Sequence, residues 1–305
     1  MSRHWKTVIT IIGVVLAGAG FLSGAGWAGE PSQAGGGRMW EQMIAGAAKL
    51  RLPTDFLKAM PSDFVRFEFD DLRTYAAEYH PGEHRMVLNR TLSFHAAGRD
   101  LRPLATMTHK ELELLYHELF HAYMDYLESE DGRAVGQGGS RVPDLLRFAR
   151  AMQVCRYREV SITPVVQRSQ ETEMRYLSDS EAWEALNETW AVFIGWGVWN
   201  QLEVEKKRGR SMVGSVSLME EWGTRLRRAG ELGELRGYYV PQDPDERRVA
   251  QKRFLGGGSQ ISVEEIQRLM YQVLGLPEKF TESAVTGLRQ LKKFSRASVC
   301  PEGLS

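Results

Sequence analysis

One helix limits more than any other feature what this chain can fold into. Thr108 and Glu111 have the spacing of a capping box. Behind them Leu112, Leu115, Leu119, Tyr123 and Leu127 recur three or four residues apart, the period of a helix that packs by one face. The predicted helix runs from His109 to Leu127, and His117, Glu118, Leu119, Phe120 and His121 stand in its middle. Histidines four apart leave a helix on one side. The surrounding fold must therefore bury a leucine stripe and still leave two imidazoles and a carboxylate within reach of a ligand.

Such a pair of imidazoles can hold one Zn²⁺ at about 2.0–2.1 Å, which makes His117 and His121 candidate metal ligands. Glu118, about 100° further round the helix, faces the water that such an ion binds. Zinc lowers the pKa of bound water towards about 7, and a neighbouring carboxylate can take its proton and return it to a leaving amine. The plainer reading is two packed histidines with a solvated glutamate between them. A catalytic site needs one more protein ligand and an open fourth position, whereas a structural site is closed by protein. The helix predicted over 180–201 offers Glu181, Glu184 and Glu188 along one stripe, and spacing alone leaves the choice among them open.

The motif of His117 to His121, followed by Leu-Asn-Glu-Thr-Trp-Ala at 186–191, resembles the gluzincin zinc metallopeptidases. At the ligand glutamate thermolysin has Asn-Glu and the zinc aminopeptidases have Leu-Asn-Glu-Gly-Phe-Ala. The resemblance covers the two motif helices and names the class, not a subfamily. It implies a zincin-like fold, Glu188 as third zinc ligand, Glu118 as general base, Glu184 as a supporting group, and cleavage of a polypeptide substrate. Two alternatives stand beside it. One is a non-catalytic cell-envelope binding or assembly protein with a structural zinc site. The other is a di-iron carboxylate protein, which would need a second Glu-x-x-His; the chain has only Glu118 to His121.

The remaining pattern is that of an α+β chain with a small antiparallel sheet preceding a predominantly helical region that holds the metal site. Residues 64–69 alternate apolar and charged, and short strands are predicted at 74–79 and 84–89 about a turn at 80–83. Met86 to Asn89 is expected as an exposed edge bordering the zinc cleft, where an extended substrate could add as a further strand. A covering lid from the segment 131–179 is the competing expectation. Helices are predicted at 39–50, 143–157, 215–229, 262–274 and 281–294, and a glycine-rich loop at 132–140.

The first 28 residues read as an export signal or a retained membrane anchor: Arg3 and Lys6 precede an uncharged run from Thr7 to Ala28. Residues 29–38 are then a flexible linker and 39–305 the catalytic domain with C-terminal helices, expected to be periplasmic, secreted or membrane-anchored facing outside the cytoplasm. The zero formal charge offers no polyanion-binding surface, so nucleic acid is not expected as a partner. Oligomeric state is left open. Cys155 and Cys300 could pair or remain thiols. Asp125 could orient a ligand histidine or be solvated, and Tyr238 and Tyr239 could donate to a reacting oxygen or merely pack. His80, His84, His95 and His109 are expected at the surface or at caps. Trp183, Trp190, Trp196 and Trp199 are expected to pack the ligand helix into the core.

Overall fold

The computed structural model describes residues 33–72, 76–95, 100–136, 143–165, 171–208, 210–291, 294 and 300. The uncharged run Thr7 to Ala28 lies outside them. Among the described residues no helix is long and apolar enough to cross a membrane.

The chain is mixed α and β with helix predominating. It opens with α1 (Gln33–Lys49) and the short α2 (Asp55–Lys58), then β1 (Arg66–Asp70), β2 (Ala77–His80) and β3 (Arg85–Asn89). Next come α3 (His109–Gly136), α4 (Asp144–Arg156), β4 (Glu159–Ile162), β5 (Glu173–Tyr176) and α5 (Asp179–Arg208). The last part holds α6 (Val216–Leu232), β6 (Tyr238–Tyr239), α7 (Pro244–Val249), β7 (Arg253–Phe254), α8 (Val263–Gln272) and α9 (Glu278–Arg289).

Two boundaries correct the sequence reading. Helix α1 begins at Gln33, inside the predicted linker of residues 29–38. Gly35, Gly36 and Gly37 each disfavour helix by about 1 kcal/mol, but burial of Met39, Trp40 and Met43 further along fixes the helix in place. Helix α3 continues to Gly136 into the predicted glycine-rich loop, because Glu128, Glu130, Arg133 and Ala134 are good helix formers.

The main sheet has the order β1-β3-β2. It is not the all-antiparallel meander expected: β1 runs parallel to β3, while β2 is antiparallel to it. Met86 to Asn89 thus lies on the central strand, and the expectation that it forms a substrate-binding edge is wrong. Met86, Val87 and Leu88 are all buried, and such an unbroken apolar run marks a strand covered on both faces. The edge nearest α3 is β2, whose burial alternates residue by residue. Asn89 donates its amide to the Ala76 carbonyl. Alternation along an antiparallel ladder then turns the backbone groups of Ala77 and Tyr79 away from β3.

The core is built round α3 and α5. Leu115, Tyr116, Leu119 and Phe120 of the first helix, and Ala185, Leu186, Trp190 and Ile194 of the second, are fully buried. Gly195 sets their separation: a Cβ there would lie 2.8 Å from the Glu113 carbonyl oxygen, so only glycine allows the helices this close. The predicted caps form, with Thr108 and Glu111 bonded reciprocally at α3 and Ser262 and Glu265 at α8. Cys155, at the end of α4, is joined to Cys300 by a disulfide.

Candidate metal centre

The capping box fixes where α3 starts, and the leucine stripe fixes which face turns inward. His117 and His121 then point at α5, where Glu188 meets them. The three groups lie within 4.8 Å of one another. His117 Nε2 is 3.1 Å from His121 Nε2 and 3.3 Å from Glu188 Oε2, and His121 Nε2 is 3.6 Å from Glu188 Oε1. A tetrahedral ion with ligand bonds near 2.05 Å has donor atoms about 3.3 Å apart, so these spacings fit one face of such a shell.

Two further observations suit a cation. Glu188 Oε2 is buried without a hydrogen-bond partner, an arrangement that is costly unless something else satisfies it. The Nε2 atoms of the two imidazoles face each other at 3.1 Å, close to the spacing of two donors on one tetrahedral ion. Burial by itself would raise the Glu188 carboxyl, but the fields of His121 and His117 outweigh it and hold the group well below the usual carboxylate range. Burial pushes the His121 imidazole down, but Glu188 together with Glu118 and Glu184 outweighs it, so its pKa is raised.

Glu118 stands just outside this set, 4.0 Å from His117 Nε2. Its Oε2 accepts the Tyr79 amide of β2 at 2.9 Å, so the sheet edge aims the carboxylate. Burial raises its pKa against the opposing pull of the two histidines. The other two glutamates of the stripe serve the chain rather than the cluster. Glu181 caps α5 through the Ser178 amide and also accepts from Gln242, while Glu184 accepts the Val240 amide. Burial pushes the Glu184 carboxyl up to about 7.

Other expectations resolve in turn. Asp125 neither orients a ligand histidine nor is solvated: its Oδ2 accepts from the Tyr79 hydroxyl at 2.6 Å and pairs with His84 Nδ1 at 2.8 Å. His109 pairs with Glu203, while His80 stands 3.7 Å from Glu78. Trp190 is buried, and Trp183 is half-buried with its indole donating to Glu128. Tyr239 packs in the core. Tyr238 follows Gly237, which packs on Glu188 and Thr189, and its phenol is kept protonated by burial and by the carboxylates of Glu188, Glu118 and Glu184.

Comparison with protein families, with curated proteins and with solved structures returns no match. Chemistry therefore has to be read from the residues themselves.

Sequence reasoning missed what delivers Tyr238. The Gly237 amide donates to the buried Thr189 hydroxyl, and a Cβ on Gly237 would lie 2.5 Å from Thr189 N and 2.8 Å from Glu188 C. These are backbone atoms of a packed helix and cannot give way. Gly237→Ala should therefore push β6 off α5 and cost about 1–3 kcal/mol. Thermal denaturation should show the loss, and competition with a chelator should show weakened metal binding. Unchanged values in both would mean that the approach of β6 to α5 does not matter.

Proposed function

We propose that the protein is a zinc-dependent hydrolase that cleaves polypeptide amide bonds outside the cytoplasm. The observation that carries this reading is the placement of Glu118, which is held beside the three-residue cluster by the Tyr79 amide without joining it. A carboxylate so placed can work as a base, and the donor set of two imidazoles and one carboxylate is that of catalytic zinc sites. His117, His121 and Glu188 would hold the ion, which when bound supplies Lewis acidity and makes water a nucleophile near neutral pH.

The chain's own residues do the remaining work. Glu118 removes a proton from the attacking water and passes it to the departing nitrogen. The Tyr238 phenol, protonated in its buried setting, donates a hydrogen bond to the carbonyl oxygen as charge builds there. The edge of β2, with the outward backbone groups of Ala77 and the carbonyl of Tyr79, can align an extended substrate as an added strand. This assigns to β2 the part that sequence reasoning gave to Met86–Asn89.

Elemental analysis of protein never exposed to chelator should find about one zinc per chain. Hydrolysis of unstructured peptides should disappear on chelation and return with zinc. Metal-free protein with full peptidase activity would overturn the proposal.

A further inference from the structure

The loop between α7 and β7 ends in Lys252, next to Arg253 of β7, and the two cations have opposite fates. Arg253 is buried and paired on both sides, with Glu246 and with Glu173. Its neighbour Lys252 is half-buried, yet no carboxylate comes within ion-pair distance of it among the described residues. Instead its Nζ stands 3.8 Å from the centre of the Tyr238 ring. A cation over an aromatic face is held in position without being neutralised.

That ring links the ammonium to the metal cluster. Tyr238 follows Gly237, which packs against the backbone of Glu188 and Thr189, and Lys252 lies in the field of the carboxylates of Glu188, Glu118, Glu184 and Glu78. Burial lowers the lysine's pKa, against the pull of those four groups. A half-buried ammonium with no counter-ion of its own is suited to an anion that arrives with the ligand. Set over the ring of Tyr238, it stands beside the cluster and not in it, where the residue next to the scissile bond of an extended substrate would pass, since successive residues are about 3.5 Å apart.

Building on the peptidase reading, we infer that Lys252 is a specificity residue that pairs with a substrate carboxylate about one residue from the scissile bond. The carboxylate is either the α-carboxylate of a chain end or an acidic side chain. Tyr238 serves this role twice, as the face that positions Lys252 and as the donor beside Glu188.

The test uses zinc-loaded Glu118→Gln full-length protein and three matched peptides: one with a free C-terminus, its C-terminal amide, and an amide carrying Glu next to the scissile position. Calorimetry should show at least one carboxylate peptide binding about tenfold more tightly than the neutral amide. Preference for the first peptide assigns the chain end, and preference for the third assigns the side chain. Adding Lys252→Met should reduce the preference to within twofold, while Lys252→Arg should retain most of it. Zinc content and melting temperature of the variants report whether they fold. Equal binding of the three peptides, or a preference that survives Lys252→Met, overturns the inference. An equal fall in kcat for all three peptides on Lys252→Met in the active protein, with binding unchanged, also overturns it, since the lysine would then serve the transition state. Cleavage without carboxylate preference removes this inference and leaves the peptidase reading intact. Carboxylate preference without cleavage does the reverse.

Discussion

Glu118→Gln is expected to retain about one zinc per chain and to lose about 10²- to 10⁴-fold in kcat on any peptide that the native protein cleaves. The amide is nearly isosteric, and its oxygen can still accept the Tyr79 N–H that now holds Oε2 at 2.9 Å. What it cannot do is take a proton. His117→Ala, His121→Ala and Glu188→Ala should each lose the metal, because removing any one leaves too few donors for the ion. Glu184→Ala should keep it, since that carboxylate is bonded to Val240 and not to the cluster. Metal titration and turnover on the same preparations separate the two effects. If Glu118→Gln hydrolyses peptides at the native rate, Glu118 is not the base. If Glu184→Ala loses the metal while Glu188→Ala keeps it, the ligand assignment fails.

The second large effect is one of stability. Glu265 of α8 is fully buried and collects four donors: the Ser262 amide at 2.7 Å, Trp190 Nε1 at 2.7 Å, the Tyr157 hydroxyl at 2.9 Å and Arg156 Nε at 3.2 Å. It thereby joins α4, α5 and α8, and Trp190 is two residues from Glu188. Glu265→Ala strands a nearly buried guanidinium and orphans the other donors, which should cost about 3–5 kcal/mol. For a domain of this size that corresponds to a fall of roughly 10 °C in melting temperature. Replacing Arg156 and Glu265 together by methionine should recover much of the loss, because the expensive element is the unpaired charge. Denaturant titration of the single and double variants measures both. A single variant within about 0.5 kcal/mol of the native protein would mean that the network contributes little.

How much of this could be read in advance depended on whether the signal was local. The motif helix carries its own period, its own cap and both histidines, so it was legible. The stripe Glu181, Glu184 and Glu188 was legible as a face, but helical spacing cannot rank its members. Resemblance to known metallopeptidases chose Glu188, and the structure brings that residue to the two histidines. The sheet was misread because its order depends on partners: the turn at 80–83 was recognised, but the apolar run of Met86 to Leu88 should have marked a central strand. Strands β4 to β7 are two to four residues long and are joined in part by distant segments, such as the bridge from Ile162 to Leu255. Nothing local announces them. Lys252 was hidden for the same reason, one of many charges in the stretch from Asp243 to Arg253 until the fold set it over Tyr238.

The bond between Cys155 and Cys300 divides the site in a way that sequence order does not. It closes a covalent ring of chain in which Glu188, Tyr238, Lys252 and Glu265 all lie, while His117, His121 and Glu118 belong to the tail outside. A single peptide-bond break inside the ring releases nothing, since the disulfide still connects the two ends. A break between α3 and α4 leaves the histidine portion attached to the ring portion only by packing, above all that of α3 on α5. The two halves of the candidate centre are thus separable as covalent bodies, and their union rests on the same buried contact that Gly195 permits.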